Sequence, residues 1–273
     1  MADVVSEERT PLARPAPEPS VSRHRFGIAY LVLAAILGAA VGLVVVFATR
    51  DNGHHQTRPW SSWTPHTTGT LGTREIARHV SAQYHLQNGS LLTAVVGGPM
   101  EIESSQGPVP VSAILVRSGK AGVRQERIDV DFPAAGVFYQ LVGAAPDRSI
   151  PGKATLARGR LVRREALELA LYTFHYLPQT DYVLAFLPPP AGASQQSPLL
   201  NRAVFLPRSA LARELKLPLK DALPPGEVDI TPAKLSAAQG NGIEAATAGR
   251  VFRWEFQPSA NQAALVVLSP ITG

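Results

Sequence analysis

Between Phe26 and Ala48 the chain reads FGIAYLVLAAILGAAVGLVVVFA, without one charged residue. A helix rises about 1.5 Å per residue, so some 20 residues of this kind cross the roughly 30 Å hydrocarbon core of a bilayer. A secretory signal peptide is the competing reading. Its apolar region usually runs about 7–15 residues, and its basic leader is shorter than the segment 1–25 that precedes this run. Val46-Phe47-Ala48 is the small-residue pattern at which cleavage would occur. A buried core helix is disfavoured, because nothing polar in the run marks a solvent face. The expectation is an uncut transmembrane helix over 26–48. Arg14, Arg23 and Arg25 precede it, with Arg50 and Arg58 behind it. That bias, with a short tail before the span and the bulk of the chain after it, places the N-terminus in the cytoplasm. Ala34, Gly38 and Gly42 recur at four-residue spacing. Such a stripe lets two membrane helices approach closely, which points to a homodimer through the span.

The rest of the chain divides by composition. Residues 1–25 carry Pro11, Pro15, Pro17 and Pro19 among Glu, Ser and Arg, and read as a disordered tail. Residues 49–72 read as a polar juxtamembrane linker. Its Trp60 and Trp63 suit either the headgroup level of a membrane or the surface of the domain that follows. That domain is expected over 73–273. "TREIARHVSAQYHL" puts Ile76, Val80 and Tyr84 on one helical face with Thr73 as N-cap. "SLLTAVVGG" reads as a strand. The apolar runs Val111–Val116, Ile128–Phe132 and Val137–Val142 resemble a β-meander. "RREALELALYTFHYLPQTDYVLAFLPPP" reads as a helix apolar over much of its circumference, then a turn, a fully buried strand and a stop. Ser209 opens a short helix through Lys216. "RVFRWEFQ" and "AALVVL" form a C-terminal hairpin. Helices and strands that do not alternate regularly argue for an α+β domain with an antiparallel sheet.

Chemistry is harder to find. The chain has no cysteine, which excludes thiol catalysis, cysteine-held zinc and disulfides. "PGKAT" fails as a phosphate loop, because Asp147 stands where its first glycine belongs and Ala154 where Ser or Thr belongs. Three weak catalytic candidates remain. Asp129 and Asp131 share one face of a strand and would form half of an acid–base site. His175 lies near a helix C-terminus, where the macrodipole favours its charged form, with Asp181 as a partner. No nucleophile stands beside either group. His54, His55 and His66 sit in linker sequence without fixed geometry, so no metal and no cofactor is expected. Formal net charge is +5. Arg148, Lys153, Arg158, Arg160, Arg163 and Arg164 gather beside the single acid Asp147. Arg160, Arg163 and Arg164 fall in the first turns of a helix, where the dipole disfavours cations, although Glu168 is placed to pair with Arg164. A tethered domain carrying this basic patch would meet anionic headgroups, an anionic envelope polymer or an acidic protein.

"LVRREALELALYTFHYLP" followed by "VLAFLPPP" resembles uncharacterised bacterial single-pass membrane proteins with one extracytoplasmic domain. The resemblance covers roughly residues 60–270 and implies that topology, with no activity attached to it. The whole reading is a signal-anchored protein of the cell envelope with its C-terminal domain outside the cell membrane, where nucleic acid is not a partner. Its expected function is a non-catalytic binding or scaffolding module. The alternatives are an envelope hydrolase using Asp129/Asp131 or His175, and a membrane signalling subunit.

Overall fold

A computed structural model describes residues 59–98, 101–104, 107–118, 127–193, 197, 200–223, 230–232, 235–258 and 263–271. The tail at 1–25, the span at 26–48 and its stripe at Ala34, Gly38 and Gly42 lie outside the described residues, as does the side chain of Asp131. Among the described residues, no helix is long and apolar enough to cross a membrane. Pro59–Gly273 forms one compact unit, so residues 59–72, expected in a linker, belong to it.

Helix α1 spans Gly69–Ser81, and its buried face includes Ile76, Ala77 and Val80. It begins ahead of Thr73. That residue is therefore no N-cap: it is buried inside the helix, its hydroxyl donating to the Gly69 carbonyl at 3.0 Å. Among the described residues nine strands follow and assemble into one mixed sheet: β1 (Ala94–Gly98), β2 (Glu101–Ser104), β3 (Gly107–Ser118), β4 (Arg127–Asp131), β5 (Gly136–Val142), β6 (Tyr182–Phe186), β7 (Arg202–Pro207), β8 (Val251–Pro258) and β9 (Ala264–Pro270). Their order is β1-β5-β6-β7-β8-β9-β3-β2, with β4 on the other edge of β3 from β9. The expected C-terminal hairpin is present as β8 and β9. An antiparallel meander through β3, β4 and β5 is not. β5 leaves β4 and pairs antiparallel with β1 and parallel with β6, while β3 pairs parallel with β9. Short apolar runs fix strand existence but not partner, because pairing depends on which distant strand covers the same face.

The 21-residue helix α2 (Leu156–Tyr176) crosses between β5 and β6, the long connection that a parallel pair requires. It is capped by Thr155, whose hydroxyl accepts from the Arg158 amide at 3.2 Å. From Leu161 to Phe174 nearly every residue is buried, because the helix is packed on several sides. β6 and β7 lie beneath it, α1 is alongside, and α4 (Ala237–Thr247) packs against its N-terminal half. A short helix, α3 (Leu219–Ala222), precedes α4. The strand alternation divides the core into two clusters. Val183, Ala185, Val204 and Leu206 face α2, while Tyr182, Leu184, Ala203 and Phe205 face a second cluster with Phe252, Val266 and Ile114. The continuous apolar run of β6 follows from burial on both faces. The sheet curls strongly, so that β3 and β5, far apart in the strand order, line one groove.

Candidate functional site

The residues singled out in the sequence do not converge. Asp129 lies exposed on β4, opposite Val116 of β3. The apolar residues expected on the inward side of that strand are also exposed, Val130 to 51% and Phe132 to 65%. Strict alternation predicts a half-buried strand only where something covers one face, and among the described residues nothing covers this stretch.

His175 ends in an aromatic cluster instead of a polar site. Its ring stacks on Trp60 at 4.1 Å between centroids, and His79 stacks on Trp63 at 4.0 Å. Tyr172 packs edge-on against Trp60, Trp63 and His79. The Tyr176 hydroxyl donates to the Trp63 carbonyl at 2.9 Å, and the Leu219 amide donates to the Trp60 carbonyl at 2.8 Å. The segment holding both tryptophans is thus a strap fastened over α1 and α2, which is the domain-packing alternative for these residues. Burial lowers the pKa of both His175 and His79. That is opposite to the shift expected for His175 from the helix dipole. The desolvation of a ring under an indole outweighs the field of a helix end.

The basic cluster is redistributed just as thoroughly. Arg148 and Lys153 are exposed on the loop before α2. Arg158 turns back and donates from Nη1 to the Gly152 carbonyl at 3.1 Å, fixing that loop where Gly152 takes a left-handed φ of 88°. Arg160 grips Glu244 of α4 through Nε and Nη2, both at 3.0 Å, and Arg163 reaches the same carboxylate at 3.3 Å. This approach needs Gly240, since a Cβ there would lie 2.8 Å from the Arg160 guanidinium. Arg164, expected on the surface patch, is fully buried. It pairs with Glu168 at 3.1 Å and donates to the Leu223 carbonyl at 3.0 Å. The expected i,i+4 pair is made, but in the core and not on a binding face. An arginine and a glutamate at helical spacing look the same in sequence whether solvent or a second layer covers them.

What the structure brings together is a cleft of about 400 Å³ at the N-terminal end of α2. Leu156, Val162, Leu187, Pro188–Pro190 and Val251 supply its apolar walls, while Arg158, Arg163, Arg202 and Glu244 supply its charged groups. Arg202 opens β7 and was not singled out by sequence. A lone arginine at the start of an apolar strand carries no signal, and its neighbour Arg163 is distant along the chain. Both line the cleft, and burial first, then the charge of Arg163, lower the pKa of Arg202. The Nε of each is buried without a hydrogen-bond partner among the described residues. A buried donor left unmet costs about 1–3 kcal/mol, so the two arginines carry donor capacity that the described residues leave unsatisfied. Glu244, the one acid in the cleft, is held below the usual carboxylate range chiefly by the Arg160 hydrogen bond. It therefore stays ionised, and arginine does not release its proton.

No family model matches the chain, and no curated protein or solved structure is similar to it.

The cleft can hold and orient an anion. Among the described residues it has no acid–base pair and no nucleophile: the Thr155 hydroxyl is engaged as the cap of α2, and neither His175 nor Asp129 lines the space. A larger groove of about 740 Å³, between Thr68–Thr73 and Pro133–Phe138, is lined by no charged residue. Among the described residues no three His, Asp or Glu side chains gather as metal ligands.

Proposed function

We propose that this protein is a non-catalytic binding module of the bacterial cell envelope, anchored by a span at 26–48 with the unit 59–273 outside the membrane. The observation that carries the binding reading is the cleft. Three arginines and one already neutralised glutamate converge there on apolar walls, whereas the hydrolase candidates are dispersed. His175 is stacked under Trp60, and Asp129 sits on an exposed strand. An excess of fixed positive charge in a partly desolvated cleft selects anionic partners, and anionic envelope polymers or acidic proteins supply such groups.

The reading is tested with the intact protein in its native membrane by crosslinking and recovery of bound envelope material. Replacing Arg163 and Arg202 together by Gln is expected to abolish a capture that survives His175→Gln and Asp129→Asn. If the two arginine replacements leave capture intact, the cleft is not the binding site. If His175→Gln or Asp129→Asn abolishes turnover of any envelope substrate, the protein is a hydrolase.

A further inference from the structure

We infer that the cleft takes a small amphipathic oxyanion, a phosphate or carboxylate carried on a compact apolar body. This deepens, and rests on, the reading of the cleft as the binding site. Three features together specify the class. First, Arg163 and Arg202 both line the cleft, each with donor capacity that the described residues leave unmet. A guanidinium offers its donors in a rigid planar fork matched to the oxygens of a carboxylate or phosphate. Second, the internal carboxylate of Glu244 engages Arg160 twice and Arg163 through Nη2, leaving the other cleft-lining guanidinium, that of Arg202, to a ligand. Glu244 thus occupies one side of the cluster as a built-in oxyanion and shows what chemistry the cluster accepts. Third, the remaining wall is apolar. Leu156, Val162, Leu187, Val251 and the ring faces of Pro188–Pro190 have no use for a hydrated inorganic ion. A volume of about 400 Å³ suits a compact soluble molecule at the small end of ligand pockets.

The bound geometry puts the oxyanion between Arg163 and Arg202, with its body against the proline run. Recognition is by charge-assisted hydrogen bonds at one end and apolar burial at the other. No bond is made or broken.

The test is calorimetric titration of the purified full chain in detergent micelles with phenyl phosphate, inorganic phosphate and benzyl alcohol. Phenyl phosphate is expected to bind, inorganic phosphate to bind roughly tenfold more weakly, and benzyl alcohol not at all. Arg202→Gln should weaken phenyl phosphate by roughly tenfold or more. Arg78→Gln, exposed on α1 and not part of the cleft lining, should change nothing. Arg202→Lys keeps the charge without the fork; it should also lose affinity, and it serves if the glutamine variant does not fold. Vesicles of phosphatidylglycerol should not displace phenyl phosphate. Displacement would overturn a small soluble ligand in favour of a lipid headgroup. Equal binding of phenyl phosphate and inorganic phosphate, both lost in Arg202→Gln, would overturn the amphipathic ligand while the binding-module reading stands. No binding of phenyl phosphate, or binding indifferent to both Arg202 variants, would overturn the inference outright.

Discussion

Glu165 and Glu168 lie one turn apart on α2, both buried, with Arg164 as the only guanidinium between them. Glu168 takes the ion pair and the hydroxyl of Tyr84, donated at 2.5 Å. Glu165 receives only the Thr93 hydroxyl at 2.8 Å, and its Oε2 has no partner among the described residues. Burial first, and then the charge of Glu168, hold Glu165 well above the usual carboxylate range. Its folded pKa therefore exceeds its unfolded value of 4.5, so the folded state keeps a proton that the unfolded state releases. The stability this contributes is full below pH 4.5 and is lost as pH rises through the folded pKa, at up to about 1.4 kcal/mol per pH unit. Glu165→Gln preserves the acceptor for Thr93 and removes the titration. In denaturant melts the variant should match the parent near pH 4.5 and gain on it progressively toward pH 9. A gap that does not change with pH would mean that Glu165 is ionised in the fold. Glu168→Ala should differ in kind. At neutral pH it strands a buried guanidinium and should cost about 3–5 kcal/mol.

At the level of elements, periodicity was legible wherever an element carries its own signal. The broad apolar surface of α2, the continuous run of β6 and the β8–β9 hairpin all read directly from "RREALELALYTFHY", "YVLAF" and the two runs around "PSANQ". What was not legible depends on partners distant in sequence: the parallel pairings of β5 with β6 and β3 with β9, and the joining of Arg163 with Arg202 in one cleft, while for Trp60 and Trp63 the sequence left two places open and the domain surface is the one found. Arg208 belongs to the same class. A short helix was expected from Ser209 through Lys216, and the stretch instead forms two 3₁₀ turns, Arg208–Leu211 and Glu214–Lys216. The Arg208 guanidinium closes the far end of α2. It donates to the carbonyls of Phe174, Leu177, Pro178 and Thr180 at 2.8–3.1 Å and lies over the Phe174 ring. A helix end leaves its last carbonyls without intrahelical donors and carries partial negative charge, so a cation with several donors suits it. Arg208→Ala should cost about 3 kcal/mol in chemical unfolding, with part recovered by Lys, whose single ammonium cannot meet four carbonyls. A loss below about 0.5 kcal/mol would show that water replaces the cap.

For the whole molecule, the decisive step is the proposed placement across a membrane, because it determines which anions the cleft can meet. The two tryptophans suited to a headgroup layer are engaged in the aromatic cluster of the unit 59–273. The anchoring proposal therefore rests on the uncharged run Phe26–Ala48 and the arginines around it. An uncharged run of this length is strongly favoured in hydrocarbon, and under this proposal the arginines before it would hold the short tail on the cytoplasmic side. Alkaline phosphatase fused after Gly273, an enzyme that matures only after export, should then be active in cells, and a cytoplasmic fluorescent reporter at the same point should stay dark. An epitope placed before Met1 should co-migrate with one placed after Gly273 in the alkali-resistant membrane fraction. The opposite reporter pattern would put the cleft in the cytosol and make soluble phosphometabolites its natural ligands. Separation of the two epitopes would mean that the run is a cleaved leader, and the unit 59–273 would then be released and not tethered.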